Sequence, residues 1–231
     1  MLTEILSPFP ASALSINSAD FSRCVELARR HGVEMLFYSR LQKYYAGSDV
    51  WIDNYLQQTR NAYLMAVARS LRQEATEKDV VATLGKEGIP VCIIKGNEIA
   101  LIIYEDPNCR SSVDIDVLVR QGDVTKADFL LRAAGYKPEE TSLDYLMLHK
   151  QHAVYQDPAH RNMIELHWHF GIPYFFKLSS EEMWGEVMIG KDGRGHLSPG
   201  MFLILLLIHH HNHSFSEFKI LVDLLWAFNK Y

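Results

Sequence analysis

Two hydrophobic periods alternate along this chain, and the switches between them mark its elements. From residue 18 to residue 84 the apolar positions recur three or four apart, the spacing of helices with one buried face. Phe21, Val25 and Leu27 or Ala28 point inward from a first helix that Ser18 or Asp20 can cap. That helix runs through Arg30, and Gly32 sits just past its end. A second helix covers residues 35–45. Gly47-Ser48-Asp49 interrupts the pattern, and a long helix starts near Val50 and reaches Leu84, where Gly85 and Gly88 close it.

The period then changes. Val91 to Ile94 is a short apolar run that ends at Lys95-Gly96, as a buried strand ends at a turn. Residues 98–104 return to helical spacing, with Asn97 as the capping side chain. The polar stretch EDPNCRSS breaks that helix. Over residues 113–119 the pattern alternates strictly: Val113, Ile115, Val117 and Val119 share one face, and Asp114 and Asp116 share the other. Gly122-Asp123 turns the chain into a helix over residues 124–134, and Tyr136 opens a short extended stretch. A helical turn follows over residues 143–150. HAVYQ and MIELHWHF then flank DPAHRN as two strands joined by a hairpin-like connection. In the second strand Ile164, Leu166, Trp168 and Phe170 share a face, opposite Glu165, His167 and His169. Residues 171–198 are mixed, with a helix expected over 181–187. Pro199 opens a strongly apolar helix, and residues 217–229 form another.

This order predicts an α/β (α+β) fold in which a small mixed sheet carries helical regions at both ends. The expected divisions are a helical N-terminal region over residues 1–88, a core over 89–175 and a C-terminal helical region over 176–231. The chain stops at Tyr231 inside or just after its last helix, which leaves open whether further sequence follows. The N-terminal helices are read as a scaffold on the sheet, with a few residues walling a site.

Composition narrows the setting. The chain has 231 residues, 48% hydrophobic and 22% charged, so it can bury a sizeable core. A net charge of −5 gives no sequence-wide attraction to nucleic acid or to an anionic membrane. Three cysteines, Cys24, Cys92 and Cys109, are unclustered, which argues for a reducing cytoplasm and against a disulfide framework or a cysteine zinc site. The first residues lack the basic flank and apolar core of a signal peptide. The longest apolar run, residues 201–208, falls far short of the ~20 needed to span a bilayer.

The candidate chemistry lies around the strand at 113–119. Its two aspartates, roughly 7 Å apart along the strand, repel each other unless a cation sits between them. Glu165 joins them if its strand pairs beside theirs. Gly96 lets the backbone turn sharply and approach a phosphate without a Cβ. Lys95 and Arg110 can neutralise phosphates, the arginine by a bidentate fork, or can pair with Glu105, Asp106 or Asp114. His167 and His169 face the same side as Glu165, to contact substrate or metal or to hold the carboxylates by hydrogen bonds. His209, His210, His211 and His213 form a second cluster. His209 and His213 stand four apart, but no carboxylate lies within the run, so it reads as polar lining rather than a zinc site.

Lys95-Gly96, Arg110, Asp114-Ile-Asp116-Val-Leu-Val and Ile164-Glu165-Leu166-His167-Trp168 together resemble the uncharacterised nucleotidyltransferase family of the DNA polymerase β-like nucleotidyltransferase superfamily. The resemblance covers residues 89–170 well and the flanking helices more loosely. It departs at Asn97, where the superfamily places a hydroxyl residue. It implies transfer of an NMP group from an NTP, ATP among them, to an acceptor hydroxyl, with release of pyrophosphate. Asp114, Asp116 and Glu165 would be catalytic and metal-binding, and Lys95, Gly96, Asn97 and Arg110 nucleotide-binding. Two Mg²⁺ ions are expected, with Mn²⁺ as a substitute. The acceptor class stays open among small molecules, proteins and nucleic acids. Two other readings stand beside this one. A nucleotide- or partner-binding protein could keep the fold without turnover, as the departure at Asn97 suggests, or the same carboxylates could serve a metal-dependent phosphohydrolase.

Overall fold

A computed structural model of the chain describes residues 2–9, 17–110, 112–170, 177–191, 193–212 and 218–231. Helices α1 (Leu2–Ile5), α2 (Ser18–Arg30) and α3 (Glu34–Tyr44) precede α4 (Val50–Gly85), which at 36 residues is about 54 Å long. The start of α2 is capped one residue earlier than the sequence suggests. Asn17 is the N-cap, and its side chain accepts the Asp20 N–H at 2.9 Å. Strand β1 (Val91–Ile93), helix α5 (Asn97–Tyr104) and strand β2 (Asp114–Leu118) follow, then α6 (Val124–Ala133) and the short β3 (Lys137–Pro138). After α7 (Leu143–His149), β4 (His152–Gln156) and β5 (Met163–His167) form the expected hairpin. The chain continues through α8 (Ser180–Gly185), β6 (Val187–Ile189), β7 (Arg194–Leu197), α9 (Pro199–Asn212) and α10 (Phe218–Lys230).

The seven strands form one mixed sheet in the order β3-β4-β5-β2-β1-β7-β6. The mixed α/β architecture agrees with the sequence pattern, but the sheet gains two strands from residues 187–197. Val187, expected to end a helix, instead opens β6 after a helix that stops at Gly185. Strand β7 lies parallel to β1, with Gly195 opposite Cys92. A Cβ at Gly195 would come within 2.7 Å of Val187 Cγ1 and 3.0 Å of Cys92 Cβ, so this edge of the sheet depends on the absent side chain.

Each face of the sheet is covered. Val91 and Ile93 of β1, Ile115 and Val117 of β2, and Ile164 and Leu166 of β5 pack against α4, α6 and α7 on one side. Cys92, Ile94 and Leu118 pack against α5, α8, α9 and α10 on the other. Strand β1 is thus buried on both faces, which is why it reads as a continuous apolar run rather than an alternation. Trp168 joins the first core as expected. Phe170, assigned to the same face by parity, belongs to the second, because β5 ends at His167 and the alternation ends with it. Val113 likewise precedes β2 and is exposed. A third apolar cluster joins α1–α4 to Cys109 and to Val222 of α10.

Helix α4 brings a carboxyl group into the interior. Glu77 is 4% exposed, with Arg194 Nη1 3.9 Å away. Burial pushes its carboxyl up to about 7, with Glu98 and Glu74 adding to the rise and Arg194 opposing it. Because the folded value is the higher one, the stabilisation is present below the unfolded value of about 4.3 and is lost as pH rises through 7. Glu77→Gln should therefore stabilise by only about 1 kcal/mol at pH 5 and by about 3 kcal/mol at pH 8. Denaturant midpoints at the two pH values check this. Equal effects at both would show that Glu77 does not titrate in that window.

Candidate active site

Three elements meet at the C-terminal end of β1. Strands β2 and β5 run parallel with Asp116 opposite Glu165, so the alternation that sends Ile115, Val117, Ile164 and Leu166 into the core sends Asp114, Asp116 and Glu165 to the other face. One carboxylate oxygen from each of these three residues lies within 4.8 Å of the others. Strand β1 pairs antiparallel with β2 and delivers Lys95 and Gly96 beside them.

Gly96 is the hinge of this arrangement. Its φ of 70° and ψ of −130° suit glycine, and a Cβ there would approach Asp114 O to 3.3 Å and Ser112 Oγ to 3.6 Å. It also takes the N-cap position of α5 that Asn97 was expected to fill. Among the described residues no side chain caps the helix. Asn97 begins α5 instead, and its amide Nδ2 donates to Ser70 O of α4 at 3.2 Å. Gln73, one helical turn further along α4, donates to Ser112 O at 3.2 Å, and Ser112 Oγ donates to Asp114 Oδ1 at 3.0 Å. The long helix therefore holds both loops of the site.

Asp116 is the electrostatic centre. It is 2% exposed, and its Oδ1 lies 2.5 Å from Lys95 Nζ and 2.9 Å from His167 Nε2. His167 Nε2 is also 3.1 Å from Glu165 Oε2. Both partners are carboxylates, so Nε2 carries the proton and donates to the pair. Burial alone would raise the Asp116 carboxyl. The Lys95 ammonium and His167 outweigh it and hold the group well below the usual carboxylate range. Its contribution to stability is accordingly present above about pH 4 and is lost only as pH falls below that range. Burial disfavours the His167 imidazolium, yet bonds to Asp116 and Glu165 leave its pKa raised. The hydrogen bond from His167 lowers that of Glu165, against burial and the Asp116 charge.

The remaining sequence candidates lie further out. Arg110 is buried in a salt bridge with Asp223 of α10, Nε to Oδ2 at 2.9 Å, and Tyr104 Oη donates to the other oxygen of Asp223 at 2.7 Å. The partners suggested by the sequence were Glu105, Asp106 and Asp114, all nearby in the chain; Asp223 is 113 residues away. His169 Nε2 contacts Leu178 O rather than the carboxylates. His209, His210 and His211 lie at the C-terminal end of α9, whereas His213 falls outside the described residues. His152 was missed. Its signal is the alternation of HAVYQ, in which Ala153 and Tyr155 are core and His152 must share the face of His167, its cross-strand partner.

The sequence match extends over nearly all of this structure: the family model for uncharacterised nucleotidyltransferases covers residues 17–231. The chain belongs to that family. No curated protein and no solved structure matches it. For this nucleotidyltransferase family member the acidic triad is a group that can hold a metal ion, as is the set His152, Glu165 and His167. Among the described residues, no helix is long and apolar enough to cross a membrane.

Proposed function

We propose that the chain moves the NMP group of an NTP to an acceptor hydroxyl and releases pyrophosphate, in a Mg²⁺-dependent reaction centred on Asp114, Asp116 and Glu165. The observation that carries this reading is the convergence of three carboxylates from adjacent parallel strands within 4.8 Å, beside a tight glycine turn and a lysine. The donor set is all oxygen and is already drawing protein cations onto Asp116, which fits a hard divalent ion. When bound, Mg²⁺ would supply charge neutralisation at the α-phosphate and at the leaving pyrophosphate.

The chain's own groups account for binding and proton transfer. The N-terminus of α5 offers backbone N–H groups to a phosphate, and the lack of a Cβ at Gly96 permits close approach. Lys95 is partly exposed at the rim, where a triphosphate gives its ammonium further oxygens to bind. Glu165 is half-buried and its pKa is lowered, so its carboxylate stays ionised and can accept the proton of the acceptor hydroxyl. Arg110, already paired to Asp223, serves to hold the loop entering β2 rather than to grip phosphate. The acceptor remains open among small molecules, proteins and nucleic acids.

Glu165→Gln tests the assignment. The shape is retained and two aspartates remain, so NTP binding should persist while transfer falls at least ~100-fold. Calorimetry with NTP and Mg²⁺, run beside a pyrophosphate-release assay, reads both quantities. A fully active variant would remove Glu165 from the mechanism. A binding protein without turnover is favoured by one observation, the double engagement of Asp116 by Lys95 and His167. Mg²⁺-dependent NTP binding by wild type, with no pyrophosphate released under any acceptor tried, would support that reading.

A further inference from the structure

The face that carries the acidic triad continues across β5 into β4. His152 pairs opposite His167, and Val154 opposite Glu165, so the two histidines and the glutamate stand on one side of the hairpin. The rings of His152 and His167 have centroids 5.0 Å apart at 40°. One ligand atom from each of His152, Glu165 and His167 lies within 4.8 Å of the others. Three donors around one ion, with bonds of about 2.1 Å, stand about 3.4–3.6 Å apart, so the side chains must close by no more than about 1.4 Å.

The donor chemistry differs from that of the triad. Two imidazole nitrogens and one carboxylate suit a first-row transition ion such as Zn²⁺ or Co²⁺, whereas Mg²⁺ prefers oxygen alone. His167 lies almost fully enclosed, and His152 and Glu165 are half-buried, which limits rotation away from the set. We propose that His152, Glu165 and His167 form a second metal site that takes a divalent transition ion and shares Glu165 with the acidic triad. The site rests on its donors alone and does not depend on nucleotidyl transfer. Sharing Glu165 couples the two sites, because a carboxylate has two oxygens and can bridge neighbouring ions.

The test is a Co²⁺ titration of metal-free protein without nucleotide, in saturating Mg²⁺, followed by the visible absorption of nitrogen-ligated cobalt. Wild type should take up Co²⁺ that Mg²⁺ does not displace. His152→Ala and the bulkier His152→Gln should each weaken uptake at least ~10-fold, with circular dichroism confirming the fold. Asp114→Asn, outside the donor set but joined to it through Glu165, should weaken uptake less than either His152 variant does. Unchanged uptake in both His152 variants would overturn the proposal and direct attention to the histidines from His209 onward. Loss in Asp114→Asn equal to that in His152→Ala would overturn it too, since the ion would then sit among the aspartates. Displacement of Co²⁺ by Mg²⁺ in wild type would do the same without any variant. None of these results bears on transfer, which the Glu165→Gln assay reads separately.

Discussion

Asp116→Asn is expected to lower nucleotidyl transfer at least ~1000-fold, since loss of a ligand for the stabilising cation forfeits several kcal/mol and each 1.4 kcal/mol is a factor of ten. Asparagine keeps the volume, so the buried position between β1 and β5 stays filled. It removes the charge that holds both Lys95 and His167 on Oδ1. Deprived of that partner, the His167 imidazolium loses part of what raises its pKa, and its NMR titration should move to lower pH. A merely structural role for Asp116 would alter stability without this pairing of effects. Transfer within tenfold of wild type would contradict the central position given to Asp116.

The second large effect concerns stability. Arg110 and Asp223 are 5% and 0% exposed at the side chain, so neither charge can be rescued by water if the other is removed. Asp223→Ala should cost about 3–5 kcal/mol, because an uncompensated guanidinium would remain buried. For a chain of this size that corresponds to a fall in Tm on the order of 10 °C. The double variant Arg110→Met/Asp223→Leu should recover most of the loss, since apolar groups of similar volume commonly replace a buried ion pair at little cost. Thermal unfolding of the single and double variants separates the two cases. A single variant within about 1 kcal/mol of wild type would mean that the pair is hydrated in solution. The pair ties α10 to the segment that leads through Ser112 into β2, so transfer should also suffer in Asp223→Ala.

What was legible in the sequence was what period and parity determine. The alternation of residues 113–119 and 163–167 placed Asp114, Asp116 and Glu165 on one face, and the parallel pairing of β2 with β5 brings those faces together. The long helix, the glycine turn and the hairpin were equally local signals. Features that depend on contacts across the chain were not legible. β6 and β7 have three and four residues, too few for a period; β7 takes its hydrogen bonds from the β1 edge and β6 takes its own from β7. The partner of Arg110 lies in the last helix, beyond the reach of any spacing rule. Asn97 was misread as a cap because asparagine favours that position, but packing of α4 against α5 gives its amide a backbone carbonyl instead. His152 was within reach of the alternation argument once the hairpin partner of His167 was considered.

The reaction class is tested most directly by the position of the label. Protein should be incubated with Mg²⁺, cell extract and NTP labelled either at the α- or at the γ-phosphate, beside an Asp114→Ala/Asp116→Ala control. The account predicts that α-label enters an acceptor, that γ-label leaves as pyrophosphate, and that the control does neither. Transfer of γ-label to the acceptor, release of γ-label as free phosphate, or equal labelling by wild type and control would contradict it.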